Sequence, residues 1–192
     1  MKQDENNELW SSISTIFYNK LPLEIINNIY QQMIFKPSNK KELQDAVNVW
    51  CKNKKKALQK YEHIKYWNTS LINDMSGLFF LQENFNDDIS TWNTSNLINA
   101  CGMFRQASSF NCDISNWDMR RVEITDGMFA GASSFNQDLI KWELPNVISA
   151  KGMFERVKIP ILILKKMLRK FFDLIKFKKW RRRKRKHEQK HR

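Results

Sequence analysis

The side chains that could do chemistry are few, and most recur at one interval. Asp88, Asp113 and Asp138 stand 25 residues apart. Aligned carboxylates can attract a cation, but one per unit supplies too few oxygens for firm calcium binding. A residue that closes a tight turn is the better reading of each. His63, His187 and His191 make no nucleophile–base pair with any serine or cysteine motif, and the last two lie in a basic run. Neither G-x-x-x-x-G-K-[ST], G-x-G-x-x-G nor H-E-x-x-H occurs. Cys51, Cys101 and Cys112 are odd in number and lack C-x-x-C spacing, so reduced, partly buried thiols are expected rather than a disulfide framework or zinc site. Asn68-Thr69-Ser70 and Asn93-Thr94-Ser95 are formal glycosylation acceptors, yet Asp118 and Glu143 fill the same slot later, which marks a turn position. The expectation is no catalytic, cofactor or metal site and no small-molecule substrate.

What positions the aspartates is a period of 25 running from Trp67 to Phe154. Trp67, Trp92, Trp117 and Trp142 keep it; so do Phe79, Phe104, Phe129 and Phe154, then Phe85, Phe110 and Phe135, and Asn86, Asn111 and Asn136. Fixed-period self-similarity of this length is the mark of a repeat architecture. The fold class predicted is an α/β repeat solenoid, leucine-rich-repeat-like, with an N-terminal helical cap and a basic C-terminal helix and tail. Met103, Phe104 and Ala107, matched by Met128, Phe129 and Ala132, suggest a short helical turn in each unit. Ile89, Ile114 and Leu139 suggest a narrow parallel sheet. Gly77, Gly102, Gly127 and Gly152 are read as leaving room for the next coil. The Asn86 column is read as a ladder of amides satisfying backbone groups.

The expected divisions are an N-terminal helical arm at 1–37, a helical cap at 38–66, about four units at 67–157, a basic amphipathic helix at 158–180 and a disordered basic tail at 181–192. In the arm, Leu21, Pro22, Glu24, Ile25 and Ile29 suit a helix start. The same residues resemble the opening of an F-box, which implies binding to a ubiquitin-ligase adaptor. In the cap, Asn39 and Glu42 form a capping-box pattern, with Leu43, Ala46, Val47 and Trp50 on one face and Ala57, Leu58, Tyr61 and Ile64 continuing it. A cap of this kind covers the apolar end of a repeat stack.

The formal charge of +13 is local to one end. From Glu155 onward, 17 Lys and Arg face 3 acidic residues, a net of +14, which leaves −1 for the first 154 residues. Ile161, Leu164, Leu168, Phe171 and Ile175 share a helical face, with Lys165, Lys166, Arg169 and Lys170 elsewhere. Arg181, Arg182, Arg183, Lys184, Arg185 and Lys186 follow unbroken. This end suits either nucleic acid or anionic membrane on the one hand, or an end cap with a solvated tail on the other. The acidic first residues lack a signal-peptide core, and lysines interrupt the one apolar run. An intracellular location is expected, cytoplasmic or nuclear through the basic tail.

The cap residues 41–47, Trp50, Ala57, Tyr61 and Ile64, followed by the units Trp92–Trp117 and Trp117–Trp142, resemble the BspA-like surface-protein repeats. The resemblance covers about residues 39–154 and implies a leucine-rich-repeat-like, non-catalytic fold. The fourth unit departs from it: Pro160-Ile161-Leu162-Ile163-Leu164 stands where Phe-Asn-x-Asp-Ile belongs. The function expected is a non-catalytic scaffold binding unidentified protein partners. The alternatives are an F-box-like adaptor and binding of nucleic acid or anionic membrane through the C-terminus.

Overall fold

The computed structural model describes residues 34–158, together with Pro22 and Glu24. The chain divides into two compact units, Met1–Ile34 and Phe35–Arg192. In the first, Pro22 and Glu24 are exposed and Ile34 is half-buried. Leu21, Ile25 and Ile29, and all the basic residues proposed from Lys165 onward, lie outside the described residues. Everything below concerns the second unit.

Helix α1 (Lys40–Lys52) buries Leu43, Ala46, Val47 and Trp50 on one face. Asn39 caps it, its side-chain oxygen accepting the Glu42 N–H at 3.0 Å. The Glu42 carboxylate does not return to Asn39, as a capping box requires; it accepts from the N–H and hydroxyl of Ser38 at 2.8 and 2.9 Å. The box is therefore shifted outward by one residue, because extended Asn39 brings Ser38 over the first turn. Asn53 ends α1 and starts α2 (Lys54–Tyr61), its side chain accepting the Lys56 N–H. Ala57, Tyr61 and Ile64 are buried, but Leu58 is 39% exposed. Ala57 keeps the seven-residue step of Leu43 and Trp50, and Leu58, next to it, falls outside the buried face. A short 3-10 turn, Ile64–Tyr66, leads into Trp67.

From Trp67 the chain contains turns and single bridges, with no helix among the described residues. The parallel bridges run Asp74–Asn99, Asn99–Ile124 and Ile124–Ser149. The expected pairing at Ile89, Ile114 and Leu139 is thus corrected: those side chains are fully buried, and the units pair at a different column.

The turn region of each unit has a regular arrangement. In the second unit the N–H groups of Ala100, Gly102, Phe104 and Gln106 donate to Ile124, Asp126, Met128 and Ala130 of the next unit, at 2.8–2.9 Å. The alternate N–H groups of Met103, Arg105 and Ala107 donate within the unit, each to the carbonyl three residues back. A helix cannot propagate here because Gly102 and Gln106 both hold positive φ, +59° and +61°. This replaces the expected helical turn, although Met103, Phe104 and Ala107 are all buried. It also corrects the reading of the glycines. A Cβ on Gly102 would come no nearer than 3.8 Å to Arg105 Cβ, so room is available and conformation is what the position demands.

The core is a set of side-chain columns. Phe79, Phe104, Phe129 and Phe154 stack at 5.4, 5.6 and 5.6 Å between centroids, and Phe85, Phe110 and Phe135 at 6.1 and 5.8 Å. Within a unit the two columns touch, as Phe104 and Phe110 do at 3.8 Å. Offset stacking of this sort adds to the energy of burial.

Candidate interaction surface

The repeated polar residues are occupied by the fold. Trp92, Trp117 and Trp142 are buried, and their indole N–H groups donate to the carbonyls of Ile64, Ile89 and Ile114 at 2.8, 3.2 and 3.0 Å. Trp67 donates to Glu62 at 3.3 Å and stacks on Trp92 at 6.2 Å. Asn86 Oδ1 accepts the Asn111 N–H at 2.7 Å, and Asn111 Oδ1 accepts that of Asn136 at 3.0 Å. Asp88, Asp113 and Asp138 each accept the N–H two residues on, at 2.9–3.0 Å. Asn68, Asn93 and Asp118, just after the Trp that opens each unit, do the same at 3.0–3.1 Å. All of these bonds hold turns or join units, and none leaves a reactive group aimed at a cavity. Among the described residues no group of three His, Cys, Asp or Glu is placed to hold a metal ion.

The titrating groups follow the same pattern. The Asp88 carboxyl is held far below the usual range, first by Lys65 at 2.8 Å and then by the Ser90 hydroxyl and N–H. Burial pushes the Cys51 thiol up to about 11, helped by the negative charge of Asp87. Burial likewise raises the Cys112 thiol. The three cysteines are free and half-buried. Raised thiols are poor nucleophiles at neutral pH.

The first unit meets the cap through a row of donors. Lys40 reaches Asp74 at 3.1 Å and also the Ser76 hydroxyl, Gln44 Nε2 donates to the Leu78 carbonyl at 2.9 Å, and Trp50 Nε1 donates to Asp87 at 2.8 Å. Lys54 pairs with the same Asp87 while lying 5.1 Å from the Trp50 ring centre. The Lys52–Lys56 run is thereby part of the junction at Lys54. Beside it an open cleft of 710 Å³ is lined by Trp50, Cys51, Lys54, Leu81, Glu83 and Asp87, among others.

Exposed apolar side chains mark a second feature. Leu71, Phe80, Leu81, Ile140 and Ile148 are 53, 46, 55, 41 and 38% exposed. Except at Ile148, matched by Ile98, their positions in other units hold different residues: Arg105, Ala130 and Glu155 match Phe80, and Gln106, Gly131 and Arg156 match Leu81. Sequence reasoning missed Phe80 and Leu81, since Leu78-Phe79-Phe80-Leu81 reads as one buried run. The signal that could have found them is their failure to repeat.

A protein-family model described as "Mycoplasma protein of unknown function, DUF285" matches residues 44–160. The chain belongs to that family. The DUF285 match begins inside α1 and spans the aromatic columns, so cap and units fall in one family region. No curated protein and no solved structure matches the chain. No helix among the described residues is long and apolar enough to cross a membrane.

Proposed function

We propose that residues 67–157 are a leucine-rich-repeat-like solenoid of the BspA-like kind, and that it acts as a non-catalytic scaffold binding protein partners inside the cell. The observation that carries this reading is the division of labour along the units. Residues at repeated positions are buried, close turns within their unit or bond to the next one, whereas the exposed apolar side chains Phe80, Leu81, Leu71 and Ile140 stand where the units differ. Exposed apolar groups on a regular scaffold favour partner contact, and solenoids present such variable positions on one extended surface. Leu81 borders the cleft beside Trp50, which gives a partner an apolar edge next to Lys54, Glu83 and Asp87.

The test is the double substitution Phe80→Arg with Leu81→Gln, which installs the residues the next unit carries at these positions, Arg105 and Gln106. Cross-linked capture from cells should lose specific partners with this variant, while stability stays within about 0.5 kcal/mol of the parent, as for other surface changes. An unchanged set of captured proteins would contradict the reading. The F-box-like adaptor role of Leu21–Ile34, and nucleic-acid or anionic-membrane binding through residues 158–192, rest on sequence alone.

A further inference from the structure

The turn regions line up into four columns of peptide groups, each running through every unit. Met75 donates to Asn99, whose peptide group continues as Ala100 donating to Ile124, and then Thr125 to Ser149. The next columns run Gly77–Cys101, Gly102–Asp126, Gly127–Lys151; then Phe79–Met103, Phe104–Met128, Phe129–Met153; then Leu81–Arg105, Gln106–Ala130, Gly131–Glu155. All twelve bonds are 2.8–3.0 Å and all point the same way, N–H toward the C-terminal end. An ordinary sheet alternates its dipoles and cancels them. Here the alternate peptide groups are used within each unit, so the inter-unit dipoles add, as they do along a helix. Direction reverses only at the flanks, where Ile148 donates back to Glu123 and Ser134 back to Ser108.

The two ends of these columns are therefore chemically different. The first end offers carbonyls and is met by donors, Gln44 on Leu78 and Lys40 beside Asp74 and Ser76. At the last end the N–H groups of Ala150, Gly152 and Arg156 continue three of the columns and have no acceptor among the described residues. Lys151, Arg156 and Lys158 flank them in sequence; Glu155, the one acidic residue between Ser149 and Lys158, lies 3.8 Å from Arg156, with its Oε2 3.2 Å from where a Cβ on Gly152 would stand.

We infer that this end is a docking edge for a partner segment carrying carboxylates on alternate residues. A row made only of donors excludes several occupants. A normal strand edge presents N–H and C=O in turn, so plain strand addition would set donor against donor. A second copy's identical end has the same fault, and its opposite end is already covered by Lys40 and Gln44. The chain's own continuation brings no acid between Val157 and Phe172, only Lys and Arg among its charged residues. Carboxylate oxygens accept without donating. On an extended peptide they recur on one side at every second residue, the step between the donors on residues 150 and 152, with 156 a double step further on. The positive charge of Lys151 and Lys158, beyond the Arg156–Glu155 pair, favours the same partner. This surface is distinct from Phe80 and Leu81, so it stands or falls independently of the apolar contact.

The test uses the full-length, isotope-labelled chain with three synthetic decapeptides, alternating Glu-Val, Gln-Val and Lys-Val. In the free protein the amides of Ala150, Gly152 and Arg156 should exchange at least about 100-fold faster than those of Ala100, Gly102 and Gln106. Saturating Glu-Val peptide should slow these three by about tenfold or more, Gln-Val should bind at least about tenfold more weakly, and Lys-Val should leave them unchanged. The Phe80→Arg, Leu81→Gln variant should respond identically. Slow exchange in the dilute free chain would mean that its own continuation covers the edge, and protection rising with protein concentration alone would mean a second copy does. Either result overturns the proposal, as would Glu-Val binding without protection of the three amides or equal effects of Glu-Val and Gln-Val.

Discussion

The indole N–H of Trp117 donates to the carbonyl of Ile89, 28 residues earlier and 3.2 Å away. That carbonyl also accepts the backbone N–H of Trp92 at 3.1 Å, so one oxygen closes a turn and ties two units together. Trp117→Phe keeps an aromatic ring against Phe104 but removes the donor, and should cost about 1 kcal/mol or somewhat more. Trp117→Ala should cost about 3–5 kcal/mol, since it also opens a cavity in the aromatic columns. Urea unfolding of both variants checks this. Equal costs would mean that the hydrogen bond contributes nothing separable from packing.

Thr69 and Thr94 occupy the same position in successive units and are both buried. Thr69 Oγ1 donates to the Asn93 carbonyl at 2.9 Å, whereas Thr94 Oγ1 has no partner among the described residues. The third and fourth units place Met119 and Leu144 there. Thr69→Val should therefore destabilise by about 1 kcal/mol, and Thr94→Val should be neutral or stabilise by a similar amount. Thermal unfolding of the pair decides it, and a loss at Thr94 as large as at Thr69 would be contrary.

Gly102→Ala tests conformation against space. Its added Cβ meets nothing closer than 3.8 Å, so the cost should be that of a left-handed residue alone, about 1–2 kcal/mol. Gly131→Ala carries the same strain at φ +76° and also brings its Cβ to 2.5 Å from Gln106 Nε2. Shortening that side chain with Gln106→Ala should recover part of the Gly131→Ala loss and none of the Gly102→Ala loss. Denaturant midpoints of the single and double variants read the difference. Rescue of Gly102→Ala would show that crowding, not φ, governs that position.

Acid should weaken the junction between cap and first unit. The Asp88 carboxyl is depressed by Lys65 and Ser90, so its contribution is complete above the unfolded carboxylate range near pH 4 and is lost as pH falls below it. Asp113 is depressed in the same direction by the N–H and side chain of Ser115. Asp88→Asn should lower stability at pH 7 and flatten the fall below about pH 4. Parallel pH curves for the variant and parent, measured by urea unfolding, would remove Asp88 from the account.

Much of the buried set is legible because its residues repeat: Trp, Phe, Ile and Met recur at a spacing that only one stacking can satisfy. The α1 face and the Asn39 cap are legible for the usual local reasons, helical spacing and a short polar side chain before the first turn. What escapes is anything decided by turn geometry. Positive φ at Gly102 and Gln106 converts an apparent helical turn into alternating inward and outward N–H groups, and no periodicity of hydrophobic residues reports that. The same geometry moves the bridges to the Asp74 column, away from Ile89, and turns Phe80 and Leu81 into water. Glycine's reason was hidden too, since its recurrence is equally consistent with crowding and with φ. Leu58 is 39% exposed while its neighbour Ala57 is buried, a choice between adjacent apolar residues that side-chain type does not encode.

Peptide groups relay hydrogen bonds from unit to unit through Gly102 and its equivalents. Scalar coupling across hydrogen bonds, read by NMR between amide nitrogen and carbonyl carbon, measures it directly. Correlations are expected from Gly77 to Cys101, from Gly102 to Asp126 and from Gly127 to Lys151. Correlation of the Gly102 amide with a carbonyl of its own unit, or with none, while Arg105 still pairs to Gly102, would contradict it.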